Sequence, residues 1–145
     1  MTLDYGLFID PDQQSELLLE HGGPKAHNTG GLRIEWPADY NIYNATLGRH
    51  LGPESRGRTA HIYEAPDGSV ERYSFADVEE SSTRLAAGLR SLGYGRGDLI
   101  GLHTGQHPDT AVAHMAVCKI GGTAVTLSQL YGPETLAHAM ADCQL

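Results

Sequence analysis

His103 and His107 stand four residues apart, with His114 a little further on. Three imidazoles so close in sequence can ligate zinc if the fold brings them together. His103, however, closes a strand-like run and His107 directly precedes Pro108, so the helical i, i+4 geometry of a metal pair is not available to them. No carboxylate pattern accompanies them, and the simpler reading is of histidines satisfied by their neighbours or by water. Cys118 and Cys143 have neither metal-ligand nor disulfide spacing, and they read as thiols in a reducing cytoplasm. Cys118 falls within an apolar helical pattern, where a small core side chain is expected. Asp77 and Glu80 lie one helical turn apart and could share acid–base work. A helix cap and an ion pair already account for both. Tyr94-Gly95-Arg96-Gly97-Asp98 is rich in glycine, but it runs from a helix end to a strand start. A phosphate cradle needs strand, loop and helix N-terminus in that order. A tight helix-to-strand turn is therefore expected, and with no secretion signal in view the Arg-Gly-Asp within it is not read as an adhesion motif. Neither a G-x-S-x-G elbow nor a G-x-x-x-x-G-K-[ST] loop occurs. The residues by themselves assign no catalytic, cofactor-binding or metal-ligating position.

The elements that would position these side chains fall into two parts. Residues 1–35 read as a leader with a short helix at Ser15–Glu20 and a flexible Gly-rich linker at 21–31. Residues 36–145 read as one partial domain, opening at Trp36-Pro37-Ala38-Asp39-Tyr40. A helix capped by Asn41 is expected over 42–51. A hairpin of 59–64 and 69–73 turns at Ala65-Pro66-Asp67-Gly68, where Pro presets φ and Gly accepts a positive φ. Phe75, Val78, Ser82, Leu85, Leu89 and Leu92 then recur at helical spacing and predict one apolar face. Ser74 with Asp77 resembles a capping box, Glu80 with Arg84 an i, i+4 pair, and Gly93 a stop. After that, a strand at 99–103, a helix at 108–120, a strand at 123–127 and a helix from Pro133 to about Asp142 alternate. The helix at 108–120 has Pro at N1, Asp109 and Lys119 at matching dipole ends, and few polar residues, so burial on most sides is expected. The alternation is that of an α/β domain with parallel strands, together with a β-hairpin, and it stops at Leu145 where a further strand would normally follow.

Composition bounds the function. The chain has 145 residues, 40% hydrophobic and 19% charged, within the range of one globular domain. No apolar run reaches transmembrane length, and the acidic start Met1-Thr2-Leu3-Asp4 does not look like a secretory signal. A net charge of -8 without a basic patch argues against nucleic acid and anionic membranes as partners. A cytoplasmic protein is expected.

Several stretches carry a resemblance. Lys119-Ile120-Gly121-Gly122-Thr123-Ala124-Val125-Thr126-Leu127, continuing Ser128-Gln129-Leu130-Tyr131-Gly132-Pro133-Glu134-Thr135-Leu136, looks like K-L-G-A-V-A-V-P-L-x-P-L-F-G-P-E-A-L. Tyr73-Ser74-Phe75-Ala76-Asp77-Val78 with Arg84-Leu85-Ala86 and Leu89 is similar to L-T-F-x-E-L and R-L-A-x-x-L. Gly97-Asp98 before Leu99 and Ile100 matches G-D-x-V, and Trp36-Pro37 with Tyr40-Asn41 matches W-P-x-x-F-N. From Trp36 onward the chain thus resembles the N-terminal part of acyl-CoA synthetases, in the adenylate-forming (AMP-binding) superfamily. Thr126 and Gln129 depart from it, standing where that family usually has prolines.

The resemblance implies an N-terminal subdomain, incomplete at its C-terminus, of an enzyme that joins a carboxylic acid to CoA through an acyl-adenylate. Tyr131-Gly132-Pro133-Glu134 leans toward medium-chain or aromatic acids. ATP, Mg and CoA are implied for the complete enzyme and none for this chain. The family's Ser/Thr/Gly-rich phosphate loop, ribose-binding aspartate and C-terminal lysine match no position here. The expectation is a fragment, a truncated reading frame or half of a split enzyme, inactive alone and able to associate with the remainder. The alternatives are a non-catalytic module that binds a full-length synthetase, or an unrelated α/β domain.

Overall fold

A computed structural model of the protein describes the backbone of residues 25–28 and 32–35 and residues 37–145 in full. The expected helix at Ser15–Glu20 and Trp36 lie outside the described residues. Two compact units divide between Tyr40 and Asn41. In the first, β1 (Lys25–Asn28) and β2 (Leu32–Glu35) pair antiparallel, with Lys25 opposite Glu35 and Asn28 opposite Leu32. Residues 25–28 are thus a strand inside the stretch read from sequence as a linker. Lys-Ala-His-Asn lacks the apolar alternation that would have marked it.

The second unit begins at α1 (Ile42–Ala45), whose Asn41 cap accepts from the Tyr43 amide at 2.8 Å. The single helix expected over 42–51 is instead one α turn followed by a 3-10 turn at Gly48–His50. Thr46 donates its hydroxyl back to the Ile42 carbonyl at 2.7 Å, and this local bond competes with helix continuation. β3 (Thr59–Glu64) and β4 (Val70–Ser74) form the expected hairpin. Its turn is closed by the Ala65 and Gly68 amides, with Gly68 at φ 82°.

α2 (Phe75–Ser91) opens on a complete capping box. The Ser74 hydroxyl receives the Asp77 amide, and the Asp77 carboxylate receives the Ser74 amide at 2.8 Å. Its buried face is Val78, Ser82 and Ala86, with Leu89 against the core. The apolar face assigned from spacing needs a correction here. Leu85 is 39% exposed and Leu92 76% exposed, while Ala86 is 5% exposed. The small side chain lets α2 approach its neighbour closely, and the bulky leucine beside it is turned out.

β5 (Leu99–Leu102) and β6 (Thr123–Thr126) run parallel, Leu99 beside Thr123 and Leu102 beside Thr126. α3 (Pro108–Ile120) crosses between them and buries Pro108, Ala113, Ala116, Val117 and Ile120. Its neighbours are α2 through Ala86, Ala116 and Ile120, and the sheet through Leu102, Val117 and Ala124. Gly121 ends α3 at φ 81°, against Arg96, so the turn after α2 and the turn after α3 lie side by side. α4 (Pro133–Asp142) follows β6 and buries no residue. Alternating helices and parallel strands plus a hairpin are the architecture expected from sequence.

Candidate functional site

In open parallel sheets, ligands bind beyond the carboxyl ends of the strands. Here that edge is made of two loops, 103–107 between β5 and α3, and 127–132 between β6 and α4. The loops meet directly, because a Cβ placed on Gly105 would lie 2.7 Å from Gln129 Oε1. Thr110, in the first turn of α3, ties the first loop down. Its hydroxyl donates to the Gly105 carbonyl at 2.7 Å and lies 2.8 Å from the Thr104 hydroxyl. Ser128 turns the second loop, its hydroxyl accepting the Leu130 amide.

The histidines singled out above do not converge. His107 is the N-cap of α3, its Nδ1 3.2 Å from the Asp109 amide and 3.1 Å from the Asp109 carboxylate, with Tyr63 edge-on to its ring. His114 sits between the Thr110 carbonyl, 2.8 Å from Nδ1, and the Thr126 hydroxyl, 2.9 Å from Nε2. A carbonyl only accepts, so Nδ1 carries the proton and Nε2 receives the Thr126 hydroxyl. Of the two departures from the proline pattern, Thr126 joins β6 to α3 through His114, and Gln129 packs against Gly105 of the neighbouring loop. Among the described residues no group of three or more His, Cys, Asp and Glu could hold a metal ion. The hydroxyls and imidazoles of this edge are bonded to one another and to the backbone.

The other candidates from sequence occupy structural posts. Gly95 donates its amide to Asp98 Oδ2 at 2.6 Å and Gly97 takes φ 91°, so Tyr94–Asp98 is the tight turn expected. Asp77 caps α2, the Ser74 hydroxyl and amide holding its carboxyl below the usual range. Glu80 pairs with Arg84 at 3.2 Å in solvent. Cys118 and Cys143 are free and half-buried, and burial pushes the Cys118 thiol up.

One polar cluster was not legible in the sequence. Lys119 on α3 donates to Glu79 Oε1 and to the Thr83 hydroxyl on α2, both at 2.6 Å. Tyr43 on α1 donates to Glu79 Oε2 at 2.8 Å, and its ring lies under the Lys119 ammonium at 4.4 Å. Burial raises the Glu79 carboxyl, but hydrogen bonds from Lys119 and Tyr43 and the lysine's charge outweigh it and leave it below its ordinary value. Tyr43 is pushed up to about 12 by burial and by its bond to the Glu79 carboxylate. Asn41 adds a bond to the Cys118 carbonyl at 2.8 Å. The cluster fastens three helices behind the strand-end loops. Its members lie up to 77 residues apart, and only polar residues on otherwise apolar helices hint at it.

A family model described as "AMP-binding enzyme" matches residues 51–145. The acetyl-coenzyme A synthetase of Escherichia coli is 31% identical over 116 residues, covering 78% of this chain and 18% of that protein. Among solved structures, an anthranilate CoA ligase in complex with anthranoyl-AMP superposes with a TM-score of 0.65 and 26% identity, over 74% of this chain and 20% of that one. A Brucella canis acyl-CoA synthetase shares the fold at a TM-score of 0.66 and 20% identity, over 70% of this chain and 18% of that one. The chain spans about a fifth of the length of each of these proteins.

Proposed function

The chain belongs to the AMP-binding enzyme family, and we propose that it is the N-terminal part of an ATP-dependent acyl-CoA synthetase. The reaction of the complete enzyme would join a carboxylic acid, ATP and CoA into acyl-CoA, AMP and pyrophosphate. Relatives named for acetate and for anthranilate support small aliphatic and aromatic acids as candidate substrates. The observation that carries this reading is the family match over residues 51–145, which covers the hairpin, the capped helix α2 and the whole β5–α3–β6 unit.

In the complete enzyme, magnesium and donor side chains would offset the charge that develops on the phosphoryl group. In this reading that donor set belongs to the family's phosphate loop, ribose-binding aspartate and C-terminal lysine, which match no position of this chain. The part of the described residues is to hold the strand-end loops in place. Thr110 and His114 fix the start of α3 against β6, and the Glu79–Lys119–Tyr43 cluster fixes α3 against α1 and α2. Residues 1–35 act as a leader and 36–145 as the partial subdomain, in this reading inactive alone and joined to or associated with the rest of the synthetase. The net charge of -8 and two cysteines without disulfide spacing favour a cytoplasmic enzyme of acid activation, fatty acids included. No described helix is long and apolar enough to cross a membrane.

The test is direct. The nucleotides after the Leu145 codon are sequenced, and a polypeptide continuing through them is made beside the 145-residue chain. Carboxylate- and magnesium-dependent pyrophosphate release is expected from the longer polypeptide and not from the shorter one. Saturable release from the 145-residue chain, above a heat-killed control, would overturn the claim of inactivity. Downstream sequence unrelated to a Ser/Thr/Gly-rich loop ending in Pro-Lys would overturn the synthetase reading itself.

A further inference from the structure

A cleft of about 450 Å³ opens between the 3-10 turn at Gly48–His50, β3, and the first turns of α2 and α3. Its walls draw on residues between 45 and 115 and on none of the strand-end loops. That volume is within the usual range of small-molecule sites. The floor is apolar, with Leu47 and Val78 buried and Ala111 and Met115 of α3 half-buried.

The rim is cationic. Arg49, His50 and His61 line the cleft and no Asp or Glu does, in a chain whose net charge is -8. Among the described residues Arg49 makes no ion pair or side-chain hydrogen bond, so its guanidinium keeps all its donors for a ligand. The two imidazoles are engaged only by aromatic rings, His50 by Phe75 and His61 by Tyr73.

The backbone aims these groups. His50 stacks on Phe75 with ring centroids 4.4 Å apart at 26°, which fixes a flat surface in the wall. In the hairpin, Thr59 pairs with Ser74 and His61 with Tyr73, so Ala60 is the extra residue of a β-bulge. Neighbours on a regular strand point to opposite faces, and a bulge re-aims a side chain. Ala60 and His61, adjacent in sequence, both line the cleft. Met115 is placed too, its sulfur 3.4 Å from the Thr46 hydroxyl.

Such walls fit an anion at the rim with a flat apolar body on the floor. A free guanidinium takes a carboxylate through two parallel N–H bonds. A thioether and a stacked ring pair favour an aromatic body over an alkyl chain. We propose that this cleft is a ligand site for a planar aromatic carboxylate, with Arg49 taking the carboxylate and Met115 and the His50–Phe75 stack taking the ring. The site stands independently of the synthetase reading, and each can fail alone.

The probe is 2-naphthoate, added to the 145-residue chain with its methionine methyls labelled for NMR. Met115 reports from the cleft, and Met140 on α4 is the reference. The Met115 methyl should shift saturably while Met140 stays in place. 2-Naphthamide, the same rings without the charge, and octanoate, the same charge without the rings, should each bind about tenfold more weakly. Arg49→Gln should cost about tenfold in naphthoate affinity. The side chain is exposed, so naphthamide binding and the thermal unfolding curve should not change. Ala111→Phe fills the cleft and should abolish the shift. Ala60→Phe, at an exposed position of the bulge, should do the same and serves if the first filling variant is unstable. A Met115 methyl that does not move, or Met140 moving in parallel with it, would overturn the site. Equal affinity for the acid and its amide, or for naphthoate and octanoate, would overturn the assigned ligand, as would Arg49→Gln without effect.

Discussion

α3 and α4 begin alike and end up in different surroundings. Each follows a parallel strand, carries proline in its first turn and has an acid there, Asp109 in one and Glu134 in the other. α3 buries five residues, closes against α2 through alanine-sized contacts, and is tied by Lys119 to Glu79. α4 buries none, and Leu136 and Met140 line a groove instead of a core. Local helix signals do not determine stability. Tertiary burial does, and it is concentrated on the α3 face of the β5–β6 pair.

Substitutions at matched places can break or sharpen that contrast. The largest effect is expected at Val117, fully buried between α3 and the sheet. Val117→Ala should cost about 2–3 kcal/mol in chemical denaturation, and a cost near zero would mean that this face is not the core. Next comes Lys119→Met, which leaves the Glu79 carboxylate half-buried without its cation. The pair keeps partial exposure, so about 1–2 kcal/mol is expected rather than the full cost of a buried charge. Adding Glu79→Gln should recover part of it, whereas strictly additive losses would deny the coupling.

The same cluster sets a pH window. Glu79 is held below its ordinary 4.5, so the unfolded chain takes up the proton first. Its stabilisation is present at neutral pH and is lost as pH falls through the folded value. Tyr43 is raised from 10.0 to about 12, so its contribution is full below pH 10 and disappears as pH rises toward 12. Denaturant midpoints against pH should fall at both ends, and Lys119→Met should flatten the acid limb. An unchanged acid limb in that variant would separate Glu79 from Lys119.

Leu85→Ala tests how α2 is rotated. With Leu85 39% exposed, the loss should stay under about 1 kcal/mol. A loss of about 2–5 kcal/mol would restore the face inferred from leucine spacing. The smallest effect is expected at Met140→Ala on α4, within about 0.5 kcal/mol of the parent. A loss matching Val117→Ala would show α4 to be as well packed as α3.

Much of the fold was legible where the signal is local. Ser74 with Asp77, the Pro66-Asp67-Gly68 turn, Pro108 at the start of α3 and Gly121 at its end each act within a few residues. What needed tertiary information was missed or displaced. Leucine periodicity pointed to Leu85, but the close approach of α2 to Ala116 selects Ala86. The helix expected over 42–51 gives way after one α turn to a 3-10 turn at Gly48–His50, beyond Thr46 with its back-bond to Ile42. The candidate site divided in the same way. His107 and His114 were visible as residues, and their contacts to Asp109 and to the Thr110 carbonyl are local, but the Thr126 hydroxyl is brought to His114 only by the packing of α3 on β6. The meeting of Gly105 with Gln129, and of Glu79 with Lys119, spans separations that no local pattern encodes.

Residue-resolved hydrogen exchange across the whole chain tests the contrast most directly. Amides in the middle of α3, around Ala116 and Val117, should open only with global unfolding. Those of α4 should exchange by small local openings many times faster. Equal protection of α3 and α4 would contradict a finished face opposite an open one.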